Sequence, residues 1–175
     1  MNLVLQNTIH SAPHDPMTML AAASSFEVYL DSRLRGVRGM ALLLIDVDHM
    51  ADINTAIGRQ SGDDILREMA RRLRVIGGPG NPPARLGGDR FGLVVACDNR
   101  DEAEENALSV LRILGAPVTV LGHAVAATVS IGVARGHIAS SSRSLMAAAS
   151  GALMAAKAAG GHVWRVALPQ PTLNG

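Results

Sequence analysis

Cysteine occurs once, as Cys97, in a chain of 175 residues. A single thiol excludes an intramolecular disulfide and any cysteine zinc cluster, and it fits a reducing compartment. Cys97 ends an apolar run, which predicts a buried structural thiol rather than a nucleophile. Aromatic residues are almost as scarce, with Phe26, Tyr29, Phe91 and Trp164 making up the whole set. So small a set cannot form a base-stacking platform, and the core must rest on Leu, Ile, Val, Met and Ala. Charge of one sign is lacking too. The net charge is +1 with no long basic run, which argues against a nucleic-acid groove and against a polybasic membrane patch.

No apolar stretch approaches bilayer length, so no membrane insertion is expected. The N-terminus lacks a cationic segment followed by a long apolar one, so no signal peptide is expected and the expected location is cytoplasmic. His10, His14, His49, His123, His137 and His162 form no i, i+4 ligand pair and no zinc signature. Gly77-Gly78-Pro79-Gly80 lacks the Lys-Ser/Thr of a phosphate-binding P-loop, and there is no nucleophile elbow around a serine.

What remains is 48% hydrophobic and 18% charged, the balance of one globular domain with a substantial core. Residues 1–14 have no sustained period and read as a flexible lead-in; residues 15–168 carry the domain, and 169–175 read as a tail. Asp15-Pro16 looks like a helix start, with Leu20, Phe26, Tyr29, Leu30 and Leu34 as an apolar stripe. Met40–Ile45 is a continuous apolar run and predicts a buried strand. A short helix is expected from Asp48 to Ile57 and a longer one over Asp63–Ile76, with Ile65, Leu66, Met69, Leu73 and Ile76 on one face.

The Gly/Pro stretch 77–83 must be a loop. Arg85-Leu86-Gly87-Gly88-Asp89-Arg90-Phe91 then reads as a tight β-hairpin tip that presents an acid, with Phe91–Cys97 as its second arm. A helix over 101–114 opens on an acidic turn. Pro117–Leu121 and Ala124–Ala134 suggest two adjacent strands, Ser144–Ala159 an Ala-rich helix, and His162–Leu168 a last strand. This order predicts an α/β fold, an α+β sandwich with a central, mostly antiparallel sheet wrapped by helices.

The strand ending at Ile45 delivers Asp46-Val47-Asp48. With the hairpin acid Asp89, these acids could hold a hard cation such as Mg²⁺, which favours carboxylate and water oxygens. On spacing alone the alternative ranks ahead, namely that Asp46 and Asp48 are solvated acids capping the next helix. Asn54 and Asp63 could together read the edge of a guanine, although Asp63 also suits a helix cap. Lys157, in a last helical turn, could meet a polyphosphate or simply complement the helix C-terminus.

Six separated segments carry a resemblance: Asp15-Pro16-Met17-Thr18-Met19-Leu20, Leu43 to Asn54, Gly58-Arg59-Gln60-Ser61-Gly62-Asp63, Gly87-Gly88-Asp89-Arg90-Phe91, Val129-Ser130-Ile131-Gly132-Val133-Ala134, and Ala152 to Lys157. In this order, over about residues 15 to 167, they resemble the GGDEF domain of diguanylate cyclases. The resemblance implies a sheet like the palm of nucleotidyl cyclases and polymerases, and condensation of two GTP into cyclic di-GMP across a homodimer. It also implies Mg²⁺ (or Mn²⁺) on Asp46, the Val47 carbonyl and Asp89. Asn54 and Asp63 would read guanine and Lys157 would contact phosphate. Gly87 and Gly88 would let the nucleotide approach.

The departures cluster where the chemistry would be. Arg90 replaces the second signature acid, and a guanidinium cannot ligate Mg²⁺. Ala51 stands where the family has lysine, Arg59 where it has histidine, and Gly161 where it has arginine; Met19, Ala22 and Ala23 erode the opening motif. The family's inhibitory R-x-x-D positions fall on Gly78 and Asn81, so no inhibitory cyclic di-GMP site is expected. The expected function is a degenerate domain of cyclic di-GMP signalling. It would bind GTP with weak or no cyclase activity and act as a homodimer or with a partner signalling domain. An active cyclase and a structural module that binds no nucleotide are the alternatives.

Overall fold

A computed structural model of the chain describes residues 13–36, 39–136 and 141–168. Most of the lead-in, the tail, His10 and His137 lie outside the described residues. The elements in chain order are β1 (Ala21–Ala22), α1 (Ala23–Gly36), β2 (Met40–Val47), α2 (Met50–Ile57), α3 (Arg59–Gly77), β3 (Ala84–Gly87), β4 (Arg90–Ala96), α4 (Arg100–Leu114), β5 (Val118–Val120), β6 (His123–Val125), β7 (Val129–Arg135), α5 (Ser142–Ala158) and β8 (Trp164–Val166).

The main sheet runs β1-β3-β4-β2-β7-β8. Pairings β3–β4, β4–β2 and β2–β7 are antiparallel, and only the outermost pairings, β1–β3 and β7–β8, are parallel. The mostly antiparallel sheet wrapped by helices is therefore as expected. β2 lies inside it, and all eight of its residues are buried. Strand alternation splits them between two cores. Ala41, Leu43, Ile45 and Val47 join residues of α3 and α4 on one face. Met40, Leu42 and Leu44 join residues of α1 and α5 on the other. Asp46 continues the second set.

Local chemistry explains the helix boundaries. Asn99 caps α4 by accepting from the Glu102 N–H at 2.9 Å, and the Glu102 carboxylate accepts from the Asp98 N–H in return. Ser141 and Ser144 cap α5 reciprocally. Cys97 is buried as expected, and burial pushes its thiol pKa up.

Several expectations are corrected. Asp15 does not start a helix. Its carboxylate accepts from the Thr18 N–H and hydroxyl at 2.8 and 2.7 Å, holding a turn that ends at Met19 with a left-handed φ of 57°. The chain then enters the short edge strand β1, and α1 begins only at Ala23. Asp63 is not a helix cap, because α3 begins four residues earlier at Arg59, straight after Gly58. Nor do Asp46 and Asp48 act as solvated caps. Both are buried, and α2 starts at Met50, after an N-cap residue, His49, that makes no side-chain cap bond. The expected strand over 124–134 is two strands in different sheets: the Leu121-Gly122 turn, with positive φ at both residues, folds β6 back on β5 alone.

The Ala-rich composition of α5 decides how closely it packs. Ala149, Ala152 and Ala156 are buried, and Gly132 of β7 lies beneath them. A Cβ on Gly132 would overlap the Ala149 carbonyl and the Leu153 amide, so helix and sheet meet backbone to backbone. Gly132→Ala must push the two apart. It should lower unfolding free energy by about 1–3 kcal/mol, read from the urea midpoint.

Glu68 on α3 gathers Arg71 and Arg72, and Arg72 also donates to the carbonyls of Leu114, at the end of α4, and Pro117 beyond it. The Arg71 hydrogen bond, opposed by burial and aided by Arg72, pulls the Glu68 carboxyl from 4.5 down to about 2. A lowered folded-state pKa gives stability that is full above the unfolded value and lost as pH falls through the folded one. Acidifying the protein from 4.5 toward 2 should therefore erode this contribution. Glu68→Gln should be less stable than wild type at neutral pH and approach it in acid, as followed by urea midpoints across that range.

Candidate functional site at the end of the central strand

Register brings the charged residues together. In the β2–β4 ladder Asp46 lies directly opposite Arg90, and in the β2–β7 ladder it lies opposite Ser130. Residues directly opposite in antiparallel strands share a face, so the Arg90 side chain points along the same side as Asp46. Arg90 Nε lies 3.4 Å from Asp46 Oδ2. The other carboxylate oxygen, Oδ1, accepts from Lys157 Nζ at the end of α5. Asp46 itself is buried, whereas both cations are half exposed. Lys157 thus has a partner acid, and its place in the last helical turn is as expected.

The hairpin tip has the expected form. Gly87 pairs with Arg90 across a two-residue turn, and both glycines have positive φ, 125° and 57°, which glycine adopts without a Cβ penalty. The space beside them is open: a Cβ at either would meet nothing within 4 Å. The Val47 N–H donates to the Asp89 carbonyl at 3.2 Å, fastening the tip to the end of β2. Arg85 fastens it from the other side. Its guanidinium donates to the Gly88 carbonyl at 2.7 Å and to Asp15 at 3.1 Å. Burial alone would raise the Asp15 pKa, but Thr18 and Arg85 outweigh it and hold the carboxyl below its ordinary value. This buttress joins two motif segments seventy residues apart in sequence.

Asp48 does something sequence reasoning missed. Its carboxylate accepts from the Thr128 hydroxyl at 2.8 Å, the Ser130 hydroxyl at 2.6 Å and the His162 N–H at 2.9 Å. It therefore ties β2 to the start of β7 and to the turn leading into β8. His49 and His162 both take left-handed backbone, φ 56° and 52°, around this clamp. A Cβ on Gly161 would lie 3.2 Å from the Asp48 carboxyl. The only sequence signal for this clamp was the pairing of a second acid after the strand with Gly160-Gly161.

Asn54 and Asp63 are brought close by the packing of α2 on α3. A Cβ on Gly62 would overlap Asn54 Oδ1, so the amide lies directly against the residue before Asp63. Asn54 Oδ1 is buried and has no hydrogen-bond partner among the described residues. Such an orphan costs roughly 1–3 kcal/mol unless something donates to it.

The donor set does not fit a resident Mg²⁺. Both Asp46 oxygens already hold cationic side chains, and the Asp48 oxygens are committed to three donors. Among the described residues no group of three His, Cys, Asp or Glu side chains could hold a metal ion. The expected set of Asp46, Val47 carbonyl and Asp89 would have to displace both Lys157 and Arg90 from Asp46.

Fold and site together define a palm-like α/β domain whose charged groups collect at one end of the central strand. Residues 12–162 match the family model described as "Diguanylate cyclase, GGDEF domain", and the chain belongs to that family, whose domains serve cyclic di-GMP signalling. DgcN, a diguanylate cyclase of Escherichia coli K12, is 32% identical over 131 residues, covering 72% of this chain and 32% of DgcN. The solved GGDEF domain of TpbB from Pseudomonas aeruginosa is 29% identical with a TM-score of 0.84, covering 89% of this chain and 95% of that one. A sensory box/GGDEF family protein from Caulobacter crescentus is 33% identical with a TM-score of 0.80, covering 85% of this chain and 100% of that one. The chain spans about a third or less of the length of the curated relatives it matches. Among the described residues no helix is long and apolar enough to cross a membrane.

Asp48→Ala would strand the Thr128 and Ser130 hydroxyls and the His162 amide around an unfilled space. The expected cost is roughly 2–3 kcal/mol of stability. Asp48→Asn keeps the shape but offers one acceptor oxygen, and its melting point should fall between those of Asp48→Ala and wild type.

Proposed function

We propose that residues 15–168 form a GGDEF domain that binds GTP but makes little or no cyclic di-GMP, and that acts as a regulatory or dimerising element. The observation that carries this reading is the buried Asn54 Oδ1, which lies against Gly62, the residue before Asp63, and has no hydrogen-bond partner among the described residues. Guanine offers N–H donors at N1 and N2 and an acceptor at O6. A carboxylate and an amide on adjoining helices match the chemistry of that edge, and the orphaned oxygen would gain a donor from the base. The open space around Gly87 and Gly88 and the half-exposed Lys157 suit the phosphates.

Turnover is a different matter. Condensing two nucleotides requires a 3′-oxygen to be activated and the charge on the departing pyrophosphate to be balanced. Arg90 puts a cation where the family's second signature acid would stand, and Ala51 and Gly161 remove two cations expected on the phosphate side. What remains recognises the base better than it drives the chemistry.

Purified protein given GTP with Mg²⁺ or Mn²⁺ should yield little or no cyclic di-GMP by chromatography, while calorimetry detects GTP binding. Robust product would overturn the non-catalytic reading, and absence of GTP binding would leave a structural module. Asp63→Ala should weaken GTP binding by about 10- to 100-fold, as expected for losing a charged hydrogen-bonding partner.

A further inference from the structure

Two cations, Arg90 and Lys157, already stand on Asp46, while Asp48 is held by neutral donors alone and Asp89 lies at the hairpin tip. An acid at position 90 in place of arginine would make this end of the sheet more negative by two charges, which is the charge of one Mg²⁺. Arginine supplies that difference before any ion arrives. The Arg90 guanidinium also has spare capacity. Only its Nε engages Asp46, and Nη1 and Nη2 make no hydrogen bond to another described residue. Its side chain is 47% exposed, so that free end of the fork reaches solvent beside the open Gly87-Gly88 turn. A guanidinium binds phosphate oxygens through paired N–H donors, and unlike a metal ion it requires no carboxylate cage.

From this we infer that the site takes its nucleoside triphosphate free of divalent cation, with Arg90 occupying the electrostatic place of the metal and donating to the phosphates. The inference rests on the GTP-binding reading above and deepens it by naming the form of the ligand. It also gives a physical reason for weak turnover. A guanidinium balances phosphate charge but cannot acidify a bound hydroxyl by direct coordination, as a metal ion does.

Calorimetry with GTP in excess EDTA and in excess Mg²⁺ tests it on the intact chain. The expected dissociation constant in EDTA equals or lies below that in Mg²⁺, because complexation by the metal removes negative charge from the phosphates. Inorganic tripolyphosphate should compete in EDTA. Arg90→Gln, which keeps much of the side-chain length without the charge, should lose about 10- to 100-fold in EDTA. Arg90→Glu should lose at least as much in EDTA and regain affinity when Mg²⁺ is added. Thermal melting of both variants checks that the hairpin is still folded, and Arg90→Lys provides a charge-retaining control if either is not. GTP binding that is tenfold or more weaker in EDTA than in Mg²⁺ overturns this inference and leaves the GTP-binding reading intact. No binding in either condition overturns the GTP-binding reading itself.

Discussion

β2 lies between β4 and β7 with side chains buried on both faces, and its one ionisable side chain, Asp46, is buried with them. A buried carboxylate must be paired, because desolvating an isolated charge is costlier than a small domain can sustain. Much of the site's geometry follows from that requirement. Antiparallel register offers Arg90 from β4, and close packing of Gly132 against α5 brings Lys157 within reach from the opposite side. Two residues on, Asp48 solves the same problem with hydroxyls and an amide instead of cations. Two acids separated by one residue thus have unlike duties: Asp48 is consumed by the architecture, whereas Asp46 holds side chains that solvent reaches.

Legibility in the sequence followed the range of the interaction. The buried strand over 40–45, the face of α3 and the hairpin at 85–91 were readable because each depends on neighbours close in the chain. Helix starts were less readable. Asp15 carries the signature of a helix cap, but Arg85, far along the chain, recruits it into a turn. Asp63 also looks like a cap, but α3 begins a turn earlier, at Arg59, straight after the Gly58 that closes α2. The solvated-cap alternative for Asp46 and Asp48 failed because burial by β4, β7 and α5 is tertiary and leaves no mark on spacing. Resemblance to a family singled out Asp46 as a candidate ligand, yet it carried no information on whether Asp46 would be free or already paired.

The proposed site has two halves that rest on different parts of the fold. Asn54, Gly62 and Asp63, the proposed base side, lie on α2 and α3 and depend on helix packing. Asp46, the hairpin tip and Lys157, the proposed phosphate side, depend on sheet register. Arg90 enters there through a position that the register aims at Asp46 whatever residue stands there. One substitution can therefore change the electrostatics of the site without disturbing the fold that presents it.

That separation bears on what such a domain can contribute when it belongs to a longer protein. Binding free energy depends on the sum of base and phosphate contacts, whereas turnover also requires charge to be placed on the atoms whose bonds change. A domain that keeps the first while losing the second still couples nucleotide concentration to its own conformational stability, because ligand binds only the folded state. The coupling needs no catalysis. The elements that would transmit it are those tied to the ligand's surroundings: the hairpin tip through Val47 and Arg85, and the end of α5 through Lys157 and Asp46. On the proposed reading, a charge change at position 90 separates nucleotide binding from turnover while leaving these ties in place.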